Sequence, residues 1–230
     1  MTDYEWADLI DRQDRLRLLN DPGNAYSTNA AYAMGRKKDE LILSAFTKTQ
    51  TTGELGGGAS APAVTSVQSS AADANPAPLD LEVLINARTQ LLVEDDSEDE
   101  MYCVLTAYQM AQLLDDPKIT SADYANVKAL VAGQVDTFMG FRFLQVAESV
   151  NPVVSGTAGD PTSNRRVFFY KKNAIVLATG VGEAGSSARV TERADKSYST
   201  QIYYSASFGV ARMEEAKMCV AHVGDDQPGS

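Results

Sequence analysis

The residues able to do chemistry are few, and their spacing argues against most reactions. His222, in "CVAHVGDD", is the sole histidine of the 230-residue chain. One imidazole cannot supply a two-histidine metal set, and the run around it reads as a strand. Cys103 and Cys219 each sit inside an apolar run, as expected of buried small hydrophobes and not of a disulfide framework. The densest constellation is Glu94-Asp95-Asp96-Ser97-Glu98-Asp99-Glu100, with six carboxylates in seven residues. Such a run could hold a hard cation such as Ca²⁺, but it lacks the glycine and the alternating ligands of an EF-hand. It falls between a predicted helix and a predicted strand, where a solvated turn is expected. Gly56-Gly57-Gly58 is not followed by the Lys-Ser/Thr of a phosphate loop, and "TGVGEAG" at 179–185 has the wrong glycine spacing. No G-x-S-x-G, H-E-x-x-H or G-x-G-x-x-G after a strand is present. The expectation is no catalytic residue, no metal and no cofactor. A metal-dependent hydrolase built on the 94–100 carboxylates is the enzymatic alternative.

Bulk composition narrows the partners. The formal net charge is −11, from 20 basic and 31 acidic residues. A global excess of acid repels nucleic acid, so sequence-specific DNA binding is not expected. The short basic clusters Arg36-Lys37-Lys38, Arg165-Arg166 and Lys171-Lys172 read as solvated faces. No apolar run approaches the ~18 residues that cross a bilayer. The start "MTDYEWADLI" has neither a basic nor an apolar leader segment, so an untargeted, cytosolic protein is the default.

The elements follow from periodicity. After the turn cluster "NDPGN", Tyr26, Ala30, Ala33, Lys37, Leu41 and Ala45 form one helical stripe with Met34, Ile42 and Phe46 beside it, and Asn24 is a candidate cap. The spacing predicts one long helix over about 25–46. Residues 51–78 are dominated by Gly, Ala, Ser, Thr and Pro and read as a flexible loop. Leu81, Leu84, Ile85, Arg88, Leu91 and Leu92 mark a second helix, "MYCVLT" a buried strand and "AYQMAQLLDD" a third helix. "TFMGFRFLQVAESV" and 166–170 are strand-like. Ile202, Tyr204, Ala206, Phe208 and Val210 alternate with smaller or hydroxylated residues in a strand of unusual length. A paired strand region over 189–223 closes the chain. The class is α+β.

Three phrases resemble one family, the major capsid proteins of tailed bacteriophages. "DYEWADLIDRQDRLRLLNDPGNAYSTNAAYAMGRKKDELILSAF" is similar to the entry into the family's long spine helix. "DPKITSADYANVKALVAGQVDTFMGFRFLQVAES" is similar to its G-x-V-x-x-F-M-G-F stretch, and "ARVTERADKSYSTQIYYSASFGVARMEEAKM" to its closing segment. The resemblance implies a fold with a long spine helix, long peripheral β-strands and a compact axial α/β domain. The expected division is 1–50 with 181–225 as the peripheral domain, 51–78 as the loop and 79–180 as the axial domain. It implies a structural subunit of an icosahedral virion shell, its copies meeting as pentamers and hexamers around packaged genomic DNA, made in the host cytoplasm. An encapsulin-type compartment shell is the alternative. The family carries an amino-terminal arm and extended hairpin ahead of the spine helix. Here that region looks short, so the chain alone is expected to be a monomer or small oligomer.

Heterologous contacts in such a shell are set by charge pairs. The polar side of the predicted spine helix carries Arg36, Lys38, Asp39 and Glu40, and the closing segment carries Arg193, Asp195 and Lys196. These two groups are the candidate subunit contacts, facing neighbours or each other.

Overall fold

The structure, a computed structural model, describes residues 1–10, 23–48, 51–52, 59–60, 65–68, 77–94, 99–115, 137–154, 163–180 and 186–225. They divide into two compact units, Met1–Ile42 with Leu177–Ala211, and Leu43–Val176 with Arg212–Ser230.

The first unit is built on a sheet of order β1-β11-β10, with β1 Thr2–Ile10, β10 Ser186–Arg193 and β11 Ser199–Arg212, and with β9 (Ile175–Thr179) also pairing with β11. Both β1 and β10 run antiparallel to β11, with Tyr4 opposite Ala206 and Ala188 opposite Tyr204. Alternation in β1 turns Tyr4, Trp6 and Ile10 to one face. There Tyr4, Trp6 and Tyr204 pack around buried Ala206 and Phe208 with Met34 of helix α1 (Gly23–Thr47). β10 enters β11 through the 3-10 turn Ala194–Lys196, and Ser197 and Tyr198 then take positive φ.

The second unit centres on a six-stranded sheet of order β4-β12-β8-β5-β7-β6. Its strands are β4 Thr65–Gln68, β5 Met101–Leu105, β6 Thr137–Phe138, β7 Phe141–Gln145, β8 Asn164–Lys171 and β12 Met218–Gly224. β8 is almost wholly buried because both of its faces are covered. On one face Val167 and Phe169 join Leu84, Ala87 and Leu91 of helix α2 (Leu81–Glu94) and Leu113 of helix α3 (Ala107–Asp115). On the other, Phe168 packs against Leu43 and Phe46 from the end of α1, with Phe46 and Phe168 ring centroids 4.7 Å apart. β6 and β7 form a two-residue hairpin in which Phe138 pairs with Phe141. Met139 (φ 53°) and Gly140 (φ 84°) both take positive φ, the turn whose twist matches a hairpin.

Several expectations shift. The long helix runs Gly23–Thr47, starting one residue before the expected cap Asn24. Its buried positions are Ala30, Met34, Leu43, Ala45 and Phe46, while Lys37 and Leu41 are only half-buried. In α2, Ile85 and Leu92 are exposed and Val83 and Ala87 take their place, because a helix against one sheet face buries a single stripe. The closing run is not one strand pair: β11 belongs to the sheet with β1 and β10, whereas β12 pairs with β8. Within 51–78, read as loop, lie the short strands β2 (Thr51–Thr52) and β3 (Ala59–Ser60), which pair with each other, and β4, which pairs in parallel with β12. Ladder formation needs only backbone groups, which composition does not report.

Candidate functional site: charged surfaces and buried ion pairs

The chemistry-bearing residues lie apart. His222 is half-buried in β12 opposite Arg166. Burial pushes its imidazole below the ordinary range, and the nearby Arg166 guanidinium adds to the effect. Cys103 and Cys219 are both buried and both pair with Phe169, one on each side of β8. Two strand spacings therefore separate their Cα atoms, about 9–10 Å, which exceeds the reach of a disulfide. Burial raises both thiols, Cys219 to about 12. Among the described residues no group of three His, Cys, Asp or Glu could hold a metal ion. Nor is any described helix long and apolar enough to cross a membrane.

Residues 95–98 of the acidic run lie outside the described residues, as does the Glu94 side chain. Asp99 and Glu100 are occupied by neighbours. The Asp99 carboxylate accepts from Asn173 Nδ2 at 3.3 Å and lies 4.0 Å from Lys217 Nζ. Glu100 accepts from the Tyr102 hydroxyl at 2.8 Å and pairs with Lys172 at 3.6 Å, and this hydrogen bond first, then the lysine charge, lowers its carboxyl pKa.

Each group of contact candidates is organised locally. On α1, Arg36, Asp39 and Glu40 are exposed, and Glu40 pairs with Lys37 at 2.8 Å. Lys38 turns instead toward the sheet, its ammonium 4.7 Å from the Phe208 ring centroid, a cation–π contact worth about 0.5–1 kcal/mol. Arg193 and Asp195 grip each other through two hydrogen bonds of 2.9 and 2.5 Å. That bidentate pairing raises the arginine and holds the Asp195 carboxyl below the usual carboxylate range. Lys196 is exposed, and its backbone carbonyl accepts from Ser199 Oγ at 2.6 Å.

The most constrained charges are ones the sequence reading set on solvated faces. Arg165 is 1% exposed and Lys171 0%, so neither is a surface residue. Arg165 Nε and Nη2 donate to Asp225 at 2.6 and 2.7 Å, and Nη1 donates to the Asn151 carbonyl at 2.8 Å. Asn151 in turn donates to the Arg166 carbonyl at 2.8 Å, and the Asp225 amide donates to the Ser163 carbonyl at 2.9 Å. Nearby, Gln112 accepts from the Leu79 amide at 3.0 Å and donates to the Gly224 carbonyl at 2.9 Å. The signal was parity. Arg165, Val167, Phe169 and Lys171 share a face of β8, and two of the four are core hydrophobes.

Three comparisons set this architecture among known proteins. A family model described as phage capsid protein matches residues 1–222. No curated protein sequence matches significantly. Among solved structures, the capsid of Ralstonia phage GP4 superposes with a TM-score of 0.70 at 12% identity, covering 100% of this chain and 74% of that one. The capsid of cyanophage P-SCSP1u gives 0.68 at 16% identity, covering 97% and 72%. A structure from Mycobacterium phage Che8 gives 0.65 at 15% identity, covering 96% and 70%. At such identities the likeness speaks for a shared fold.

Proposed function

This chain belongs to the phage capsid protein family, and we infer from that premise how it works: as a structural subunit whose copies close a shell around packaged DNA. The subunit role and the virion capsid as its place follow from the family, which is structural. Enclosure of the genome without sequence-specific contact is supported by the net charge of −11, since a wall of like sign to its contents does not adhere to them. The shell is icosahedral, its subunits meet as pentamers and hexamers, and the chain is made in the host cytoplasm.

The two compact units suit a division of labour. The unit carrying β1, β9, β10 and β11 serves as the peripheral part, and the six-stranded sheet with α2 and α3 as the axial part. Arg36, Asp39 and Glu40 on α1, Arg193 at the end of β10, and Asp195 and Lys196 just after it face neighbouring copies. Lys38 contributes to its own fold through Phe208. No observation favours the compartment-shell alternative or the hydrolase.

The observation that carries the reading is the family match over residues 1–222. Isolating particles from producing cells tests it. The expected result is this chain as the bulk of the particle protein, with nuclease-protected DNA inside. Particles whose wall lacks the chain refute the shell role, and walls of this chain that never hold DNA refute the enclosure.

A further inference from the structure

Among the described strands of the first unit, two edges have no strand partner, and they differ in charge. In the order β1-β11-β10, the outer edges of β1 and β10 pair with no other described strand. β1 carries Asp3, Glu5 and Asp8 and no basic residue, whereas β10 carries Arg189 and Arg193 with a single acid, Glu192. Register and alternation put Asp3, Glu5, Arg189 and Arg193 on the same face. Ser207 Oγ donates to Asp3 at 2.6 Å, and Ser187 and Ser205 hydroxyls meet at 2.9 Å on that face. Asp3, Glu5 and Arg189 are exposed, and Val190 in β10 is 68% exposed.

We propose that the β10 edge of one subunit docks beside the β1 edge of a second copy of this chain, a contact that rests on the shell reading above. Both strands are antiparallel to β11, so they run in the same direction and a head-to-tail contact sets them in parallel. Lengths match, at nine and eight residues, or about 26–30 Å of edge. The alternative two-fold contact of β1 with β1 brings Asp3 and Glu5 of both copies to one face, and β10 with β10 sets arginine against arginine on one face. Like charges opposite each other across strands are destabilising, so charge selects the unlike pair. An unlike pair is a heterologous interface, the kind that builds rings and closed shells from one chain. It also covers two edges that would otherwise template uncontrolled association.

Two charge-reversed chains test this in particle-forming cells. The first carries Arg189→Glu and Arg193→Glu, so both its edges are acidic. The second carries Asp3→Lys and Glu5→Lys, so both are basic. Each alone is expected to lower the chain recovered in particles roughly tenfold or more, because every contact now opposes like charges. One chain carrying all four changes restores particles, since its acidic β10 edge meets a basic β1 edge in every ring. Far-UV circular dichroism checks folding, and Arg189→Glu alone, which leaves the Arg193–Asp195 pair intact, is expected to give a partial loss. Normal particles from either reversed chain alone, or no restoration from the folded chain with all four changes, overturn the edge contact and leave the shell function standing. If the reversed chains do not fold, wild-type yields from Arg189→Glu overturn it. Should the wild-type chain itself be absent from the particles, the shell reading fails and the contact falls with it.

Discussion

Substituting Asp225 by Ala removes the acceptor of two of the three Arg165 hydrogen bonds at a site that water does not reach. Arg165 is 1% exposed and Asp225 0%. After the change the guanidinium keeps the Asn151 carbonyl at 2.8 Å, with the Glu148 carboxylate 4.0 Å away. Breaking a buried pair by removing one partner costs about 3–5 kcal/mol, because the remaining charge stays buried without compensation. For a chain of this size each kcal/mol moves the melting midpoint by about 2–4 °C, so Asp225→Ala is expected to lower it by about 6–20 °C. Urea unfolding followed by circular dichroism measures the loss directly, with an unchanged slope showing that the unfolded state is not altered. Replacing both partners, as Arg165→Met with Asp225→Leu, removes the stranded charge and should recover most of the loss. A loss below about 1 kcal/mol for Asp225→Ala at constant slope would refute the reasoning, since it would mean that the pair is solvated.

Gly35 lies inside α1, and an added Cβ there meets nothing within 4 Å. Gly35→Ala should therefore stabilise the chain by about 1 kcal/mol in urea unfolding. Gly140→Ala should do the opposite, by about 1–2 kcal/mol, because an L side chain is strained at φ 84° and its Cβ would lie 3.2 Å from the Met101 Cε. Burial first, then Tyr102 and Cys103, pushes the Tyr170 hydroxyl up to about 12. The folded state therefore holds that proton more tightly, and the stability this contributes is present below pH ~10 and lost as pH rises toward 12. Tyr170→Phe should flatten stability over that window without changing it near neutrality. Both thiols should resist a disulfide-exchange reagent in the native chain and react together on unfolding, as burial and raised pKa require; modification of either in the folded protein would contradict the packing around Phe169.

What could be read from residue types was whatever depends on local repetition. The helix Gly23–Thr47 shows as a 3.6-residue stripe, and β11 as period-two alternation from Ile202 to Val210. The family was legible in three ordered phrases, and the match over 1–222 agrees with them. Charges misled wherever one side chain was treated without its face. Arg165 and Lys171 looked like surface residues beside Arg166 and Lys172, yet strand parity buries the first of each pair. The contact candidates show the same gap. Arg193 and Asp195 are near in sequence and meet at 2.5 Å, but that Lys38 covers Phe208 depends on a strand some 170 positions away.

By itself the sequence determined the α+β class, the long helix, the long strand and the family, because each is written in short-range spacing and in residue identity. It also excluded metal and nucleophile motifs, which are local patterns too. Only the tertiary structure decided which strand lies beside which. Nothing local sends β11 to β1, 204 residues apart at Asp3 and Ser207, while β12 joins β8 and the short β4. Strand pairing is made by backbone groups that every residue carries, so the choice of partner rests on which faces can be buried together. The same collective choice buries the Arg165–Asp225 pair, and it leaves an acidic edge and a basic edge at opposite sides of one sheet.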